Sequence, residues 1–228
     1  MMMAVKKIAV FDVDGTLTNA HLGVEFLKEM AILGAIRGVS RSLFLKQYDE
    51  WAQSEDRTEY YDTHLDDYYT SRLVGVEKEV FERAARKVAI STSPHFYREI
   101  LTELKDSQAA GRFVMVVSKS PEQAVAEIAK LLKVDGHWGW RFNFDNSDRY
   151  VNQYTYPNGE SDKAYIVQQA IAIHHLTIDD SMAYGDSNGD ISMLELVQKP
   201  TAVNPEPKLL AVARANSWRV IQTAKSQQ

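Results

Sequence analysis

IAVFDVDGTLT, residues 8–18, opens as an apolar run and ends in two aspartates, a glycine and a threonine. Residues 8–13 are apolar except at Asp12 and include three β-branched residues, a composition typical of a strand buried on both faces of a parallel sheet. Gly15 then breaks the pattern, as expected where a strand passes into a turn. The stretch therefore predicts a buried parallel strand with Asp12 and Asp14 at its carboxyl end.

From residue 92 onward, short apolar stretches alternate with helical patterns. Further strands are predicted at 113–117 (FVMVV), 182–184, 201–203 and 218–221, and an aromatic hairpin at 137–156. Helices are predicted at 93–109, 120–134, 161–175, 191–197 and 205–215, the first of them opening at Ser93-Pro94. Strands that alternate with helices indicate parallel pairing with right-handed crossovers. The predicted fold class is α/β, a Rossmann-like doubly wound parallel sheet.

A helical block separates the first strand from the others. Residues 18–91 carry apolar side chains at helical spacing and contain no convincing strand pattern. In open α/β sheets the ligand site lies at the carboxyl ends of the strands, so an insertion at this point predicts a lid. We expect a catalytic core formed by 1–17 plus 92–228 and a helical cap formed by 18–91.

Composition narrows the class of protein. The 228 residues are 45% apolar, which is enough to bury a core, and the net charge of −5 argues against a nucleic-acid partner. The absence of cysteine excludes a disulfide scaffold, a thiol nucleophile and a cysteine-ligated zinc site. No apolar run reaches the length of a signal peptide or a membrane helix, so we expect a cytoplasmic enzyme or binding protein with no membrane partner.

Polar side chains with catalytic chemistry follow the predicted strands or open the helix before one of them. They are Asp12, Asp14, Ser118, Lys163, Asp186 and Asp190. Buried carboxylates repel one another unless a cation neutralises them, and hard oxygen ligands favour Mg²⁺. Acids, a hydroxyl and a lysine are the groups that phosphoryl transfer uses as nucleophile, metal ligands, oxyanion donors and charge clamp.

These motifs resemble those of a known family. FDVDGTLT, residues 11–18, resembles the first motif of the haloacid dehalogenase superfamily of phosphatases. Ser118 resembles the second motif, Lys163 the third, and GDSNGD, residues 185–190, the fourth. The four occur in the family's order. The helical insert between the first two resembles the C1-cap branch (subfamily IB) that includes phosphoserine phosphatase.

The resemblance implies a Mg²⁺-dependent phosphatase that works through an aspartyl-phosphate. Asp12 would be the nucleophile, and Asp14 would be first the general acid and then the general base. The implied metal ligands are the Asp12 carboxylate, the Asp14 backbone carbonyl and Asp186. The implied phosphate-binding residues are Thr16, Ser118 and Lys163. Asp190 would lie behind them and orient Lys163 or a metal-bound water.

Two positions depart from the phosphoserine phosphatase pattern. The glutamate that lies nine residues after the nucleophile there, and that helps hold the substrate amine, is His21 here. The glycine pair that follows the second-motif serine there is Lys119-Ser120 here. The departures argue against phosphoserine, and the expected partner is a small phosphorylated metabolite. The candidate specificity residues are His21, Arg57, His64 and Arg72.

Tyrosines and acids are concentrated in residues 59–69. They could form a cage for a cationic amine. The alternative is a packed helix whose inward residues are Tyr61, Leu65, Tyr68 and Tyr69. The sequence favours the packed helix.

Other functions stay open at this point. A phosphotransferase or phosphomutase would use the same intermediate and pass the phosphoryl group to a second substrate instead of water. A phosphoacceptor receiver domain also has acidic strand ends, but it is about 120 residues long and has no helical lid. A non-catalytic binding protein would not need the complete set of groups. The sequence does not define an oligomeric state.

Overall fold

The computed structural model describes residues 5–54, 66–155 and 162–223. Within these ranges seven strands form one sheet in the order β4-β3-β2-β1-β5-β6-β7. The strands are β1 (Lys7–Phe11), β2 (Phe113–Pro121), β3 (Gly136–Phe144), β4 (Tyr150–Thr155), β5 (Thr177–Gly185), β6 (Lys199–Val203) and β7 (Arg219–Ile221). Neighbours are parallel except β3 and β4, which form the predicted antiparallel hairpin. The predicted α/β fold is confirmed.

Helices cover both faces of this sheet. The α-helices are α1 (Leu22–Ile32), α2 (Arg41–Gln53), α3 (Asp66–Thr70), α4 (Lys78–Thr92), α5 (Arg98–Ala109), α6 (Glu122–Leu132), α7 (Lys163–Ile173), α8 (Ile191–Leu196) and α9 (Pro207–Ala215). Side chains of β1 alternate between the two layers: Ala9 and Phe11 belong to the core cluster to which α1 to α6 contribute, whereas Ile8 and Val10 belong to the cluster to which α7 to α9 contribute. Burial on both faces explains why β1 is continuously apolar.

The helices between β1 and β2 are fixed to the hairpin. Phe142 of β3 packs between Phe26 of α1 and Phe81 of α4, with ring centroids 5.6 and 4.7 Å away. Two main-chain hydrogen bonds join Tyr150 of β4 to the turn before α4, through the Gly75 amide at 2.8 Å and the Val76 carbonyl at 3.0 Å. The aromatic hairpin therefore serves as a packing surface for the inserted helices.

One helix start was predicted wrongly. Ser93-Pro94 opens only a short 3₁₀ turn, Ser93–His95, and α5 begins at Arg98. Phe96 and Tyr97 are extended because they pair with the loop after β1: Phe96 forms a β-bridge with Thr18, and the Tyr97 amide donates to the Leu17 carbonyl at 2.9 Å. The pairing interrupts the helix that the proline predicted.

The predicted inward face of the tyrosine-rich stretch is half correct. Tyr69 is fully buried against Phe44 and donates its hydroxyl to Gln47, but Tyr68 is 43% exposed and its prediction as inward-facing is wrong. The Arg72 guanidinium lies over the Tyr68 ring in a cation–π contact, 3.6 Å from the ring centroid. Tyr61 and Leu65 lie outside the described residues, as do Arg57 and His64.

None of the described helices is both long and apolar enough to span a bilayer.

Candidate active site

Three neighbouring strands bring the predicted groups to one edge of the sheet. Asp12 directly follows β1, and its amide donates to the Tyr184 carbonyl of β5 at 3.0 Å. Ser118 lies in β2 on one side of β1, and Asp186 follows β5 on the other. Because β1 lies between β2 and β5, the groups at the carboxyl ends of both neighbouring strands converge on Asp12.

Lys163 lies between two carboxylates. Its Nζ donates to Asp12 Oδ1 and to Asp190 Oδ1, each at 2.5 Å, and all three residues are at most 4% exposed. Asp162 caps α7 by accepting the Ala164 amide at 2.8 Å, which fixes the start of the helix that carries Lys163. Burial disfavours the ammonium, but the two carboxylates outweigh it and raise the pKa of Lys163. The lysine is therefore a fixed positive charge beside Asp12.

Asp12, Asp186 and Asp190 form a carboxylate cluster in which one oxygen from each lies within 4.8 Å of the others. Burial raises the pKa of Asp12 to about 7 even though Lys163 opposes the shift. Burial, with the neighbouring charges of Asp12 and Asp190, raises the pKa of Asp186 well above its usual value. Asp12 Oδ2 is buried and has no hydrogen-bond partner in the described part of the chain. Three buried carboxylates beside the Lys163 ammonium leave excess negative charge, which fits a divalent cation with oxygen ligands.

Asp190 is committed to the protein itself. Its Oδ1 receives Lys163, and its Oδ2 receives the amides of Asp186 at 3.1 Å and Ser187 at 2.9 Å. The Ser187 hydroxyl adds a third donor to Oδ2 at 3.0 Å. The Ser187 side chain also accepts from the Asp190 amide, and together with the Ser187 amide bond to Oδ2 this forms a capping box around the 3₁₀ turn Asn188–Asp190. Asp190 thus lies behind the other two carboxylates and holds both Lys163 and the loop that carries Asp186.

The carboxylate of Asp14 points to a different set of donors. Its Oδ1 receives the Leu22 amide at 2.5 Å, and its Oδ2 receives the hydroxyls of Ser118 at 2.7 Å and Ser120 at 2.8 Å. Asp14 and Asp12 therefore have different partners: Asp14 is held by hydroxyls and an amide, and Asp12 by an ammonium. Ser120 was not among the predicted site residues. The available signal was its place two residues after Ser118 in a strand, which puts both side chains on one face.

Thr16 and Gly15 complete the turn after β1. The Thr16 hydroxyl donates to Asp186 Oδ1 at 3.2 Å and is fully buried. Gly15 has a φ of +80° and lies against the Asp186 carboxylate where a side chain would overlap it. The turn therefore brings Asp186 close to Asp12 only because residue 15 is glycine.

The described cap candidates, His21 and Arg72, lie in different surroundings. His21 is the N-cap of α1, beside the Leu22 amide that binds Asp14, and its ring meets Trp51 edge to face at 5.9 Å. Arg72 donates to the Tyr68 carbonyl at 2.6 Å. The structure thus brings His21 next to Asp14. The proposed role of His21 and Arg72 in substrate specificity stays a prediction.

Comparisons with known proteins identify a family and relatives. Residues 9–195 match the family model for haloacid dehalogenase-like hydrolases. A histidinol-phosphatase of Neisseria meningitidis is 24% identical over 95% of this chain and 98% of its own, and a phosphoserine phosphatase of Mycobacterium tuberculosis is 25% identical over 93% and 69%. An "inhibition of morphological differentiation protein" of Streptomyces azureus is 28% identical over 63% of this chain, which spans about half (52%) of that relative.

Solved structures share the fold. A protein of unknown function from Bordetella pertussis superposes with a TM-score of 0.73 and 21% identity over 96% of this chain and 99% of its own. A substrate-bound phosphoserine phosphatase superposes with a TM-score of 0.65 and 20% identity over 96% and 94%. The family model spans all four motifs, so the chain belongs to the haloacid dehalogenase-like hydrolases.

Proposed function

We propose that the protein is a Mg²⁺-dependent phosphatase that hydrolyses a small phosphomonoester through an aspartyl-phosphate on Asp12. The observation that carries the proposal is the contrast between the two oxygens of Asp12. Oδ1 is held by Lys163 at 2.5 Å, whereas Oδ2 is buried without a hydrogen-bond partner in the described structure. A buried carboxylate oxygen that is oriented but uncommitted is suited to attack phosphorus.

The cation would be held by the Asp12 and Asp186 carboxylates and the Asp14 backbone carbonyl. When bound, Mg²⁺ supplies positive charge that offsets the repulsion between the carboxylates and an incoming phosphate dianion. Asp190 stays with Lys163 and the loop amides, so it is not counted among the ligands.

The protein's own residues account for the proton and charge movements. An Asp12 oxygen forms a bond to phosphorus while the bond from phosphorus to the ester oxygen breaks, and Asp14 gives its proton to that leaving oxygen. Asp14 then takes a proton from the water that attacks phosphorus, which releases inorganic phosphate and restores the Asp12 carboxylate. Thr16, Ser118 and Lys163 would hold the phosphoryl oxygens during both steps.

Residues 18–91 are proposed as the cap that selects the ester. Ester cleavage then belongs to the core formed by 1–17 plus 92–228, where all the proposed catalytic, phosphate-binding and metal-binding residues lie. His21 is the cap residue with the best-supported role, because the amide next to it is bonded to Asp14. The relatives named for histidinol phosphate and phosphoserine indicate a small phosphorylated metabolite.

The experiment is a phosphate-release screen of the purified chain over a panel of small phosphate esters with Mg²⁺. Amino-alcohol phosphates, sugar phosphates and p-nitrophenyl phosphate should be included, with an acceptor alcohol added in parallel reactions. We expect phosphate release from at least one ester class. Release from none would contradict the proposal, and phosphoryl transfer to the acceptor in preference to water would identify a phosphotransferase instead.

A further inference from the structure

Three donors hold the Asp14 carboxylate. This is more than is needed for a side chain that only has to reach the leaving group. One Asp14 oxygen receives the Leu22 amide, and the other receives the hydroxyls of both Ser118 and Ser120. With donors on both oxygens, the carboxyl plane cannot rotate freely. The arrangement fixes the direction in which Asp14 faces.

The two serines are not equivalent in this arrangement. A hydroxyl has one proton, so Ser118 can donate to Asp14 or to a phosphoryl oxygen but not to both. In the proposed function Ser118 binds phosphate, and its bond to Asp14 would then be lost. Ser120 keeps its bond to Asp14 Oδ2, and its amide donates to Ser118 Oγ at 3.0 Å, which holds the oxygen of Ser118 in place.

The end of β2, which carries Ser120, is fixed by contacts with β3. The Trp140 indole donates to the Lys119 carbonyl at 3.1 Å, and Pro121 pairs with Trp140 in the sheet. Gly139 lies so close to the end of β2 that a Cβ there would come within 2.8 Å of the Ser120 carbonyl oxygen. Ser120 itself is 1% exposed. The contacts with Trp140 and Gly139 therefore hold the Ser120 hydroxyl in a fixed position beside Asp14.

We propose that Ser120 is a positioning residue that orients the Asp14 carboxyl group for proton transfer to the leaving oxygen. This proposal rests on the proposed function, because Asp14 is the general acid of that reaction. The step it serves is the transfer of the Asp14 proton to the ester oxygen while the bond from phosphorus to that oxygen breaks. Ser120 contacts neither phosphorus nor the leaving group, so its effect depends on how much the leaving group needs the proton.

The test compares Ser120→Ala on an alkyl phosphate and on p-nitrophenyl phosphate, whose leaving group departs without protonation. We expect kcat on the alkyl phosphate to fall about tenfold to a hundredfold, with KM little changed, and kcat on the aryl ester to fall much less. Ser118→Ala should lose activity on both esters, because it removes a phosphate contact. Ser107→Ala, a buried serine on α5 away from the site, should change neither.

Equal losses of Ser120→Ala on the two esters would overturn the positioning role, since a merely structural change affects both. An unchanged rate on both would overturn it as well. If Ser120→Ala does not fold, Ser120→Cys keeps the volume, weakens the donor and is expected to show the same selective loss. Absence of phosphatase activity in the wild type would refute the proposed function itself, which separates the two failures.

Discussion

The α-carbon of Gly15 faces the Asp186 carboxylate so closely that a Cβ at this position would overlap the carboxyl carbon and both its oxygens. Gly15 also has a φ of +80°, a backbone conformation in which residues other than glycine are strained. The glycine after the aspartates is thus required twice, once by the backbone and once by the neighbouring carboxylate.

Gly15→Ala is expected to abolish catalysis, with a loss of at least about a hundredfold in kcat, because it displaces Asp186 from the cluster. Gly34→Ala is the matched control: its φ is +70°, but no atom lies within 4 Å of its Cβ position. The control should lose about 1 kcal/mol of unfolding free energy and keep its activity. Urea unfolding and steady-state kinetics of both variants check the prediction. Wild-type kcat in Gly15→Ala would contradict it.

Much of the fold was predictable because its strands are buried on both faces and read as continuous apolar runs. The helix start at Ser93-Pro94 was not, since the pairing of Phe96 and Tyr97 with the loop after β1 is a tertiary contact. Asp12 and Asp186 were expected at one edge of the sheet because each follows a strand, whereas the contact of Lys163, at the start of α7, with Asp12 is a tertiary contact. Ser120 was missed because the sequence indicated a helix from residue 120, whereas β2 runs to Pro121 and includes Ser120.

The substrate preference is expected to depend on His21. His21→Ala should change the ranking of esters by kcat/KM while the rate on p-nitrophenyl phosphate changes little, because the small ester does not reach the cap. Lys46→Ala, at an exposed position of α2, is the control and should leave the ranking unchanged. A uniform drop of His21→Ala across the panel would show that the residue serves structure or chemistry instead.

Metal dependence can be measured without turnover. Mg²⁺ should raise the thermal unfolding midpoint of the wild type, by an amount equivalent to about 2.7 kcal/mol at a hundredfold excess over Kd. Asp186→Asn should lose this response. Asp106 is an exposed acid on α5, and Asp106→Asn should keep the response.

Activity should depend on the same cation: EDTA should abolish the activity of the enzyme, and Mg²⁺ should restore it. Ca²⁺ should not restore it, because it prefers more ligands and a looser geometry. Full activity in EDTA would refute the metal assignment.

Asp180 predicts how stability varies with pH. It forms ion pairs with Lys7 at 2.9 Å, Arg112 at 2.6 Å and Lys199, and their hydrogen bonds hold its pKa below the usual 3.8. A lowered pKa in the folded state stabilises the fold above about pH 4, and this stability is lost as the pH falls through the folded pKa. Asp180→Asn should therefore be less stable than the wild type at neutral pH, and the difference should shrink toward about pH 3. Urea unfolding across this range measures it, and a difference that grows on acidification would contradict the assignment.

Phosphorylation of Asp12 during turnover can be detected by peptide mass spectrometry of enzyme quenched in acid while it hydrolyses a good substrate with Mg²⁺. We expect one added phosphoryl group on the Asp12 peptide of the wild type. Asp12→Asn should be folded and inactive and should carry none. Rapid turnover by Asp12→Asn, or phosphorylation of the wild type at another residue, would show that Asp12 is not the nucleophile.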